Sequence, residues 1–317
     1  MAVRGYRIFD IHTHFPTLAE HSFAGSLDEE YITTFGQAKY DYLKRLEWEA
    51  SRARWDAYGM AYPSKDQGSD EEVIRLWDED RRKKGIDKVV FVSGGGNRHL
   101  ARIIEDYPDF LGLAHHHPEE PGAALELRRA VIEDGLVGYK ILAPTVRRPL
   151  SEPFFYPIWE TAEELDIPIL IHFGILGGGA GVVGRPNCNP FALEEVAKGF
   201  PYLNFIIPHF GAGYMRELLL LGWGCKNIYV DTSGSNQWIN WMPYKISKKE
   251  VLARFADSFG VDKILYGTDS SFLPRGYVTS YLEEWLDICE GLGFTESEKE
   301  QFFSSNAERL FRTALSK

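Results

Sequence analysis

The chain has 317 residues, 44% of them apolar and 26% charged, which is enough to bury a core under a solvated surface and excludes a disordered polymer. Its formal net charge of −11 excludes a nucleic-acid or anionic-membrane partner, both of which require clustered Lys and Arg, but leaves room for an anionic small-molecule substrate held by a local cation. Three scattered cysteines, Cys188, Cys225 and Cys289, form neither a zinc-cluster spacing nor a disulfide framework, and MAVRGYRIFDIHTHF holds no apolar stretch suited to a secretory signal; the expectation is a cytoplasmic chain, with a homo-oligomer left open.

Short β-branched apolar runs are predicted as strands over 7–11, 88–92, 110–114, 137–142, 169–173, 204–208, 228–231 and 263–267. Helical patterns lie between them, over 70–84, 123–134, 157–165, 191–199, 248–259 and 278–292. Eight strand–helix repeats predict an α/β fold, a (β/α)₈ TIM barrel, as one domain over 1–317. A doubly wound open sheet is the rival, but no G-x-G-x-x-G follows the first strand. Two segments exceed a minimal barrel. Residues 15–69, with a helix expected over 37–58, read as a cap inserted after the first strand; 174–189, with its GGGAG run, reads as a loop after the fifth.

The first strand ends in DIHTH, and because side chains alternate along a strand, His12 and His14 are predicted to face one ion. His172 ends the fifth strand, His209 the sixth, and Asp269 follows the eighth. In a barrel these are the C-terminal strand ends, where catalytic groups gather. Nitrogen and carboxylate donors suit one divalent cation, with zinc expected and manganese or iron as alternatives. His115, His116 and His117 follow the third strand and read as loop and rim, with one of them available to a substrate. Arg52, Arg54 and Trp55 in the cap, with Trp238 and Trp241 after the seventh strand, are candidates to line the pocket.

The ordered motifs FDIHTHF, GYKILAP, YPIWETAEELDIPILIHFG, IIPHFGAG, YVDTSG, YGTDSSF and SSNAERLF resemble the amidohydrolase superfamily, in its aminocarboxymuconate-semialdehyde decarboxylase-like branch, over nearly the whole chain. The resemblance implies that His12, His14, His172 and Asp269 hold the metal, that Asp269 also moves a proton, and that His209 handles a proton or polarises the substrate. It leaves Lys140 as an anion-binding or structural residue, a carbamylated metal bridge being the less favoured role. Because the wider superfamily is mostly hydrolytic, the first expectation is a hydrolase in which activated water attacks a carbonyl of a small, carboxylate-bearing substrate. The alternative is non-oxidative decarboxylation of an unsaturated or aromatic acid, and the second alternative a non-catalytic ligand-binding barrel.

Overall fold

The computed structural model describes residues 5–17, 25–57, 59–64, 68–174 and 187–312. All eight expected strands form: β1 (Phe9–His14), β2 (Lys88–Ser93), β3 (Phe110–Gly112), β4 (Tyr139–Leu142), β5 (Ile169–His172), β6 (Phe205–Ile207), β7 (Ile228–Asp231) and β8 (Ile264–Leu265). They pair in parallel in two arcs, β1-β2-β3 and β4-β5-β6-β7-β8. The arcs join through the parallel bridges Ala114 to Tyr139 and Thr13 to Ser270. At the second seam Ile11 N–H donates to Tyr266 O at 3.0 Å and Asp269 N–H to His12 O at 2.8 Å, so the sheet closes into a (β/α)₈ barrel.

The helices follow the apolar periodicity. α1 (Gly25–Phe35) and α2 (Gln37–Ala57) occupy the expected insertion, followed by α3 (Asp70–Lys84), α4 (Asn97–Ile104), α5 (Ala123–Ile132), α6 (Tyr156–Glu164) and α7 (Glu194–Gly199). α8 (Met215–Gly224), α9 (Lys248–Phe259), α10 (Thr279–Leu292), α11 (Glu296–Glu300) and α12 (Asn306–Leu310) complete the chain. Helix ends are written locally: Ser69 caps α3 by accepting from Glu72 N–H, and Gly85 closes it at φ 71°. Among the described residues no helix is long and apolar enough to cross a membrane.

Each strand's outward face packs on the helices and its inward face fills the barrel. Phe9, Ile11, Val90, Val92, Leu113, Leu170, Ile206, Tyr229 and Leu265 form the inner cluster together with Ala307, Leu310 and Phe311 from the C-terminal segment. That segment plugs the end of the barrel where the strands begin, with Phe311 6.0 Å from Phe9 between ring centroids. Phe311 is 2% exposed, so Phe311→Ala is expected to cost about 3–5 kcal/mol in chemical denaturation; a loss below about 1 kcal/mol would show the plug to be dispensable.

Strand β1 departs from simple alternation. Its register against β2 slips by a residue between Asp10 and Thr13, and this bulge lets the consecutive residues Ile11 and His12 both serve the barrel interior. The insertion touches loops on opposite sides of the barrel: Glu30 of α1 pairs with Arg147 after β4, and Trp55 of α2 packs on Phe272 after β8 with centroids 5.6 Å apart. Ser64 N–H also donates to Leu273 O at 3.1 Å. The loop expected over 174–189 lies, for 175–186, outside the described residues.

Candidate metal and substrate site

One pleat beyond the apolar layer the inward positions turn polar. Leu170 gives way to His172 on β5 and Tyr229 to Asp231 on β7, each two residues on and therefore on the same face. His12 sits among them, 1% exposed. Its Nδ1 lies 2.9 Å from Asp231 Oδ2, and Asp231 is itself fully buried. Burial pushes the His12 imidazole down to about 4 despite the opposing pull of Asp231. Burial also works to raise Asp231, but its bonds from His12 and Ser233 and the neighbouring imidazoles outweigh it and hold the carboxyl well below the usual range. The pair is therefore a neutral imidazole donating Nδ1–H to a carboxylate, and Nε2 is left with its lone pair directed at the site.

Asp231 also accepts from Ser233 N–H at 2.9 Å, from the Ser233 hydroxyl and from His209 N–H at 3.2 Å. Ser233 passes the constraint on: its carbonyl lies 3.0 Å and its hydroxyl 2.8 Å from His209 Nδ1, so Nε2 is the atom His209 turns to the site. The backbone beneath is unusual. Residues 209–213 all have positive φ, at 55°, 49°, 81°, 46° and 101°, a conformation costly for Phe210 and Ala212. Phe210 holds it by packing 4.8 Å from Phe255 and 5.9 Å from Trp285. A Cβ on Gly174, after β5, would meet Ala212 O at 2.7 Å, so only glycine lets the two loops approach.

Asp269 stands at φ 57° just past β8, its side chain 38% exposed. His14 Nε2 lies 3.2 Å and His12 Nε2 3.8 Å from its Oδ1, while His14 Nδ1 is 2.6 Å from Ser93 Oγ. Burial resists the charge on Asp269, but the His14 hydrogen bond and the surrounding imidazoles hold it well below the ordinary carboxylate range. His12, His209 and Asp269 each offer a donor atom, all within 4.8 Å of one another. His172 is buried, its ring centroid 5.1 Å from that of His209, and burial lowers it well below the usual imidazole value. A neutral His12 and an ionised Asp269 are the protonation states in which these side chains bind a cation, so the donor set fits a divalent ion.

Lys140 is 1% exposed, and burial brings it down to about 8 against the pull of Asp231 and Asp269. The other expected lining residues fare differently. Trp238 is 5% exposed and donates its indole N–H to Asn236 at 3.1 Å, a packing arrangement, whereas Trp241 is exposed. Trp55 is buried against Phe272, and Arg52 stacks over Tyr62 at 5.7 Å. The side chain of Arg54 lies outside the described residues.

The histidine triplet needs correcting: His115 and His116 are interior, not rim. His115 Nε2 accepts from Gly94 and Gly96 N–H at 3.2 and 2.9 Å, while its Nδ1 donates to Leu113 O. His116 is held between Asn97 and Ala123 O. A buried imidazole must satisfy both nitrogens, and a Gly-rich loop with bare N–H groups does this for His115. His117, half-buried, faces Thr145.

Asp231 and Ser233 were legible only as YVDTSG at a strand end; nothing local marks their side chains as the partners of His12 and His209. Packing around His12 is tight on the β8 side as well. A Cβ at Gly267 would lie 2.9 Å from His12 Cβ and 3.1 Å from Ser233 Cβ. Gly267→Ala is therefore expected to displace His12, lowering metal content measured by elemental analysis and costing about 1–3 kcal/mol of stability. Full metal retention would show that the neighbours yield elsewhere.

A sequence model of the family described as amidohydrolase matches residues 9–313. A 2-keto-4-carboxy-3-hexenedioate hydratase from Sphingobium sp. is 26% identical over 68% of this chain and 70% of its own. A gamma-resorcylate decarboxylase from Polaromonas sp. is 24% identical over 68% of this chain and 74% of its own. Among solved structures, 5-carboxyvanillate decarboxylase from Novosphingobium aromaticivorans, complexed with manganese and 4-hydroxy-3-methoxy-5-nitrobenzoic acid, superposes with a TM-score of 0.62 at 20% identity, covering 98% of this chain and 97% of that one.

Proposed function

The chain belongs to the amidohydrolase family and is an enzyme, and on that premise we propose that it catalyses non-oxidative decarboxylation of a small unsaturated or aromatic carboxylic acid. The observation that carries this reading is the polar layer itself: one lysine and four imidazoles, from Lys140, His12, His14, His172 and His209, surround the single half-exposed carboxylate of Asp269. The imidazoles are neutral donors, so a divalent cation held there, together with Lys140, would outweigh the carboxylates of Asp269 and the buried Asp231 and leave positive charge to receive a substrate carboxylate. The activities of the two decarboxylases named above support it. Hydrolysis, the first expectation from the sequence, would use the same groups and is the less supported reading.

We assign one divalent cation to His12, His14, His172 and Asp269; when bound it supplies charge that orients the substrate carboxylate and stabilises negative charge developing next to it. His209, with Nδ1 committed to Ser233, presents Nε2 to the same space and delivers a proton to the carbon that bears the carboxylate. Water reaching the open side of Asp269, whose carboxylate lies within reach of His209, resupplies that proton to His209 Nε2. The C–C bond then breaks, its electron pair returns to the carbon skeleton, and carbon dioxide leaves. Lys140, buried beneath, contributes fixed positive charge toward the bound acid.

The test is carbon dioxide release from a panel of aromatic and unsaturated acids, set beside ester, lactone and amide substrates, with manganese and zinc loading compared by elemental analysis. Turnover confined to the esters, lactones or amides would replace decarboxylation with hydrolysis. Binding without turnover of any of them would replace catalysis with ligand storage.

A further inference from the structure

The carboxylate of Asp10 takes no part in the chemistry above, yet it is fully buried. Its Oδ1 accepts from His12 N–H at 3.2 Å and from Thr268 N–H at 3.0 Å, and its Oδ2 accepts from the Thr268 hydroxyl at 2.5 Å. These donors are all neutral. One side chain thus grips the backbone of a proposed metal ligand on β1 and the residue immediately before the proposed ligand Asp269. The grip continues: Thr268 Oγ1 lies 2.7 Å from Ser270 Oγ, His14 N–H donates to Ser270 O at 2.8 Å, and Asp269 N–H donates to His12 O. The segment held this way carries Asp269 at φ 57°, a conformation that local preference alone does not select. The β1 side carries the bulge that brings His12 inward.

We propose that Asp10 is a positioning residue for the metal centre, registering β1 against the loop after β8 so that His12, His14 and Asp269 converge. The inference rests on the metal reading proposed above. It is the shape of the acceptor that matters, so asparagine should substitute: its Oδ1 keeps both N–H bonds, and its NH₂ can donate to Thr268 Oγ1, whose hydroxyl then turns to Ser270 Oγ. Alanine removes all three bonds.

Full-length protein is stripped with chelator and titrated with Mn²⁺, free ion being followed by electron paramagnetic resonance, for wild type, His12→Ala, Asp10→Ala, Asp10→Asn and Thr268→Val. Asp10→Ala is expected to bind Mn²⁺ about 10–100-fold more weakly, as is common when a group orienting a ligand is lost, with Asp10→Asn restoring most of the affinity and Thr268→Val falling between. Wild-type affinity in Asp10→Ala, or Asp10→Asn as weak as alanine, overturns the inference while the metal reading stands, provided wild type binds and His12→Ala does not. Should Asp10→Ala fail to fold, Asp10→Asn with near-normal affinity beside a weakened Thr268→Val supports it, and two unimpaired variants refute it. A wild type that binds no Mn²⁺ removes the metal reading and this inference together.

Discussion

Replacing His12 with alanine is expected to empty the metal site and abolish turnover together, the largest effect of any single substitution in this protein. Two losses coincide there. The first is Nε2, the donor whose lone pair is freed for a cation because Nδ1–H is spent on Asp231. The second is electrostatic: Asp231 is fully buried and ionised, and without the imidazole its remaining bonds among the described residues are those from Ser233 and the His209 backbone. Removing one partner of such a pair costs about 3–5 kcal/mol. Metal content, rate and the denaturation midpoint should therefore all drop in His12→Ala, whereas His14→Ala, which leaves Asp231 paired, should lose metal with a smaller stability change. A His12→Ala protein that purifies with full metal would place the cation elsewhere.

His209→Ala is expected to lower turnover by about 10²–10⁴-fold, the range for losing a positioned acid–base group, while metal content stays near that of wild type. The structure makes this a sharp comparison, because the His209 donor atom lies within 4.8 Å of those of His12 and Asp269 and so is near enough to compete as a ligand. His172→Ala is the partner experiment, since His172 neighbours His209 and is assigned to the metal. Elemental analysis and steady-state rates on the two variants separate the roles. Metal lost from His209→Ala and kept in His172→Ala would exchange them, making His209 the ligand and His172 the proton donor.

Strand order, barrel class and the gathering of His12, His14, His172, His209 and Asp269 at the C-terminal strand ends were all legible in the chain, because each rests on local signals. Apolar β-branched runs pair with helical periodicity, and a polar residue falls where each run stops. The whole strand set forms, with β3, β4, β5, β6 and β8 shorter than expected because pairing across the closed barrel, not propensity, determines how far each extends. The expected helix over 37–58 appears as Gln37–Ala57 for the same local reason.

What only the tertiary structure decided are the relations between distant segments. Alternation alone predicts that His12 and His14 share a face, but the bulge in β1 that places Ile11 and His12 both inward arises from pairing with β2, 79 residues further along the chain from Asp10 to Val89. The bond from His12 to Asp231 spans 219 residues and sets which ring nitrogen is free. His115 turned inward because its partners are the N–H groups of a glycine loop after the neighbouring strand, and His116 because it sits between Asn97 and Ala123 O, which no property of HHH itself discloses. Periodicity determines which way a side chain points within its own element, whereas its hydrogen-bond partner, its protonation state and hence its chemistry depend on which other elements the closed barrel brings within about 3 Å of it.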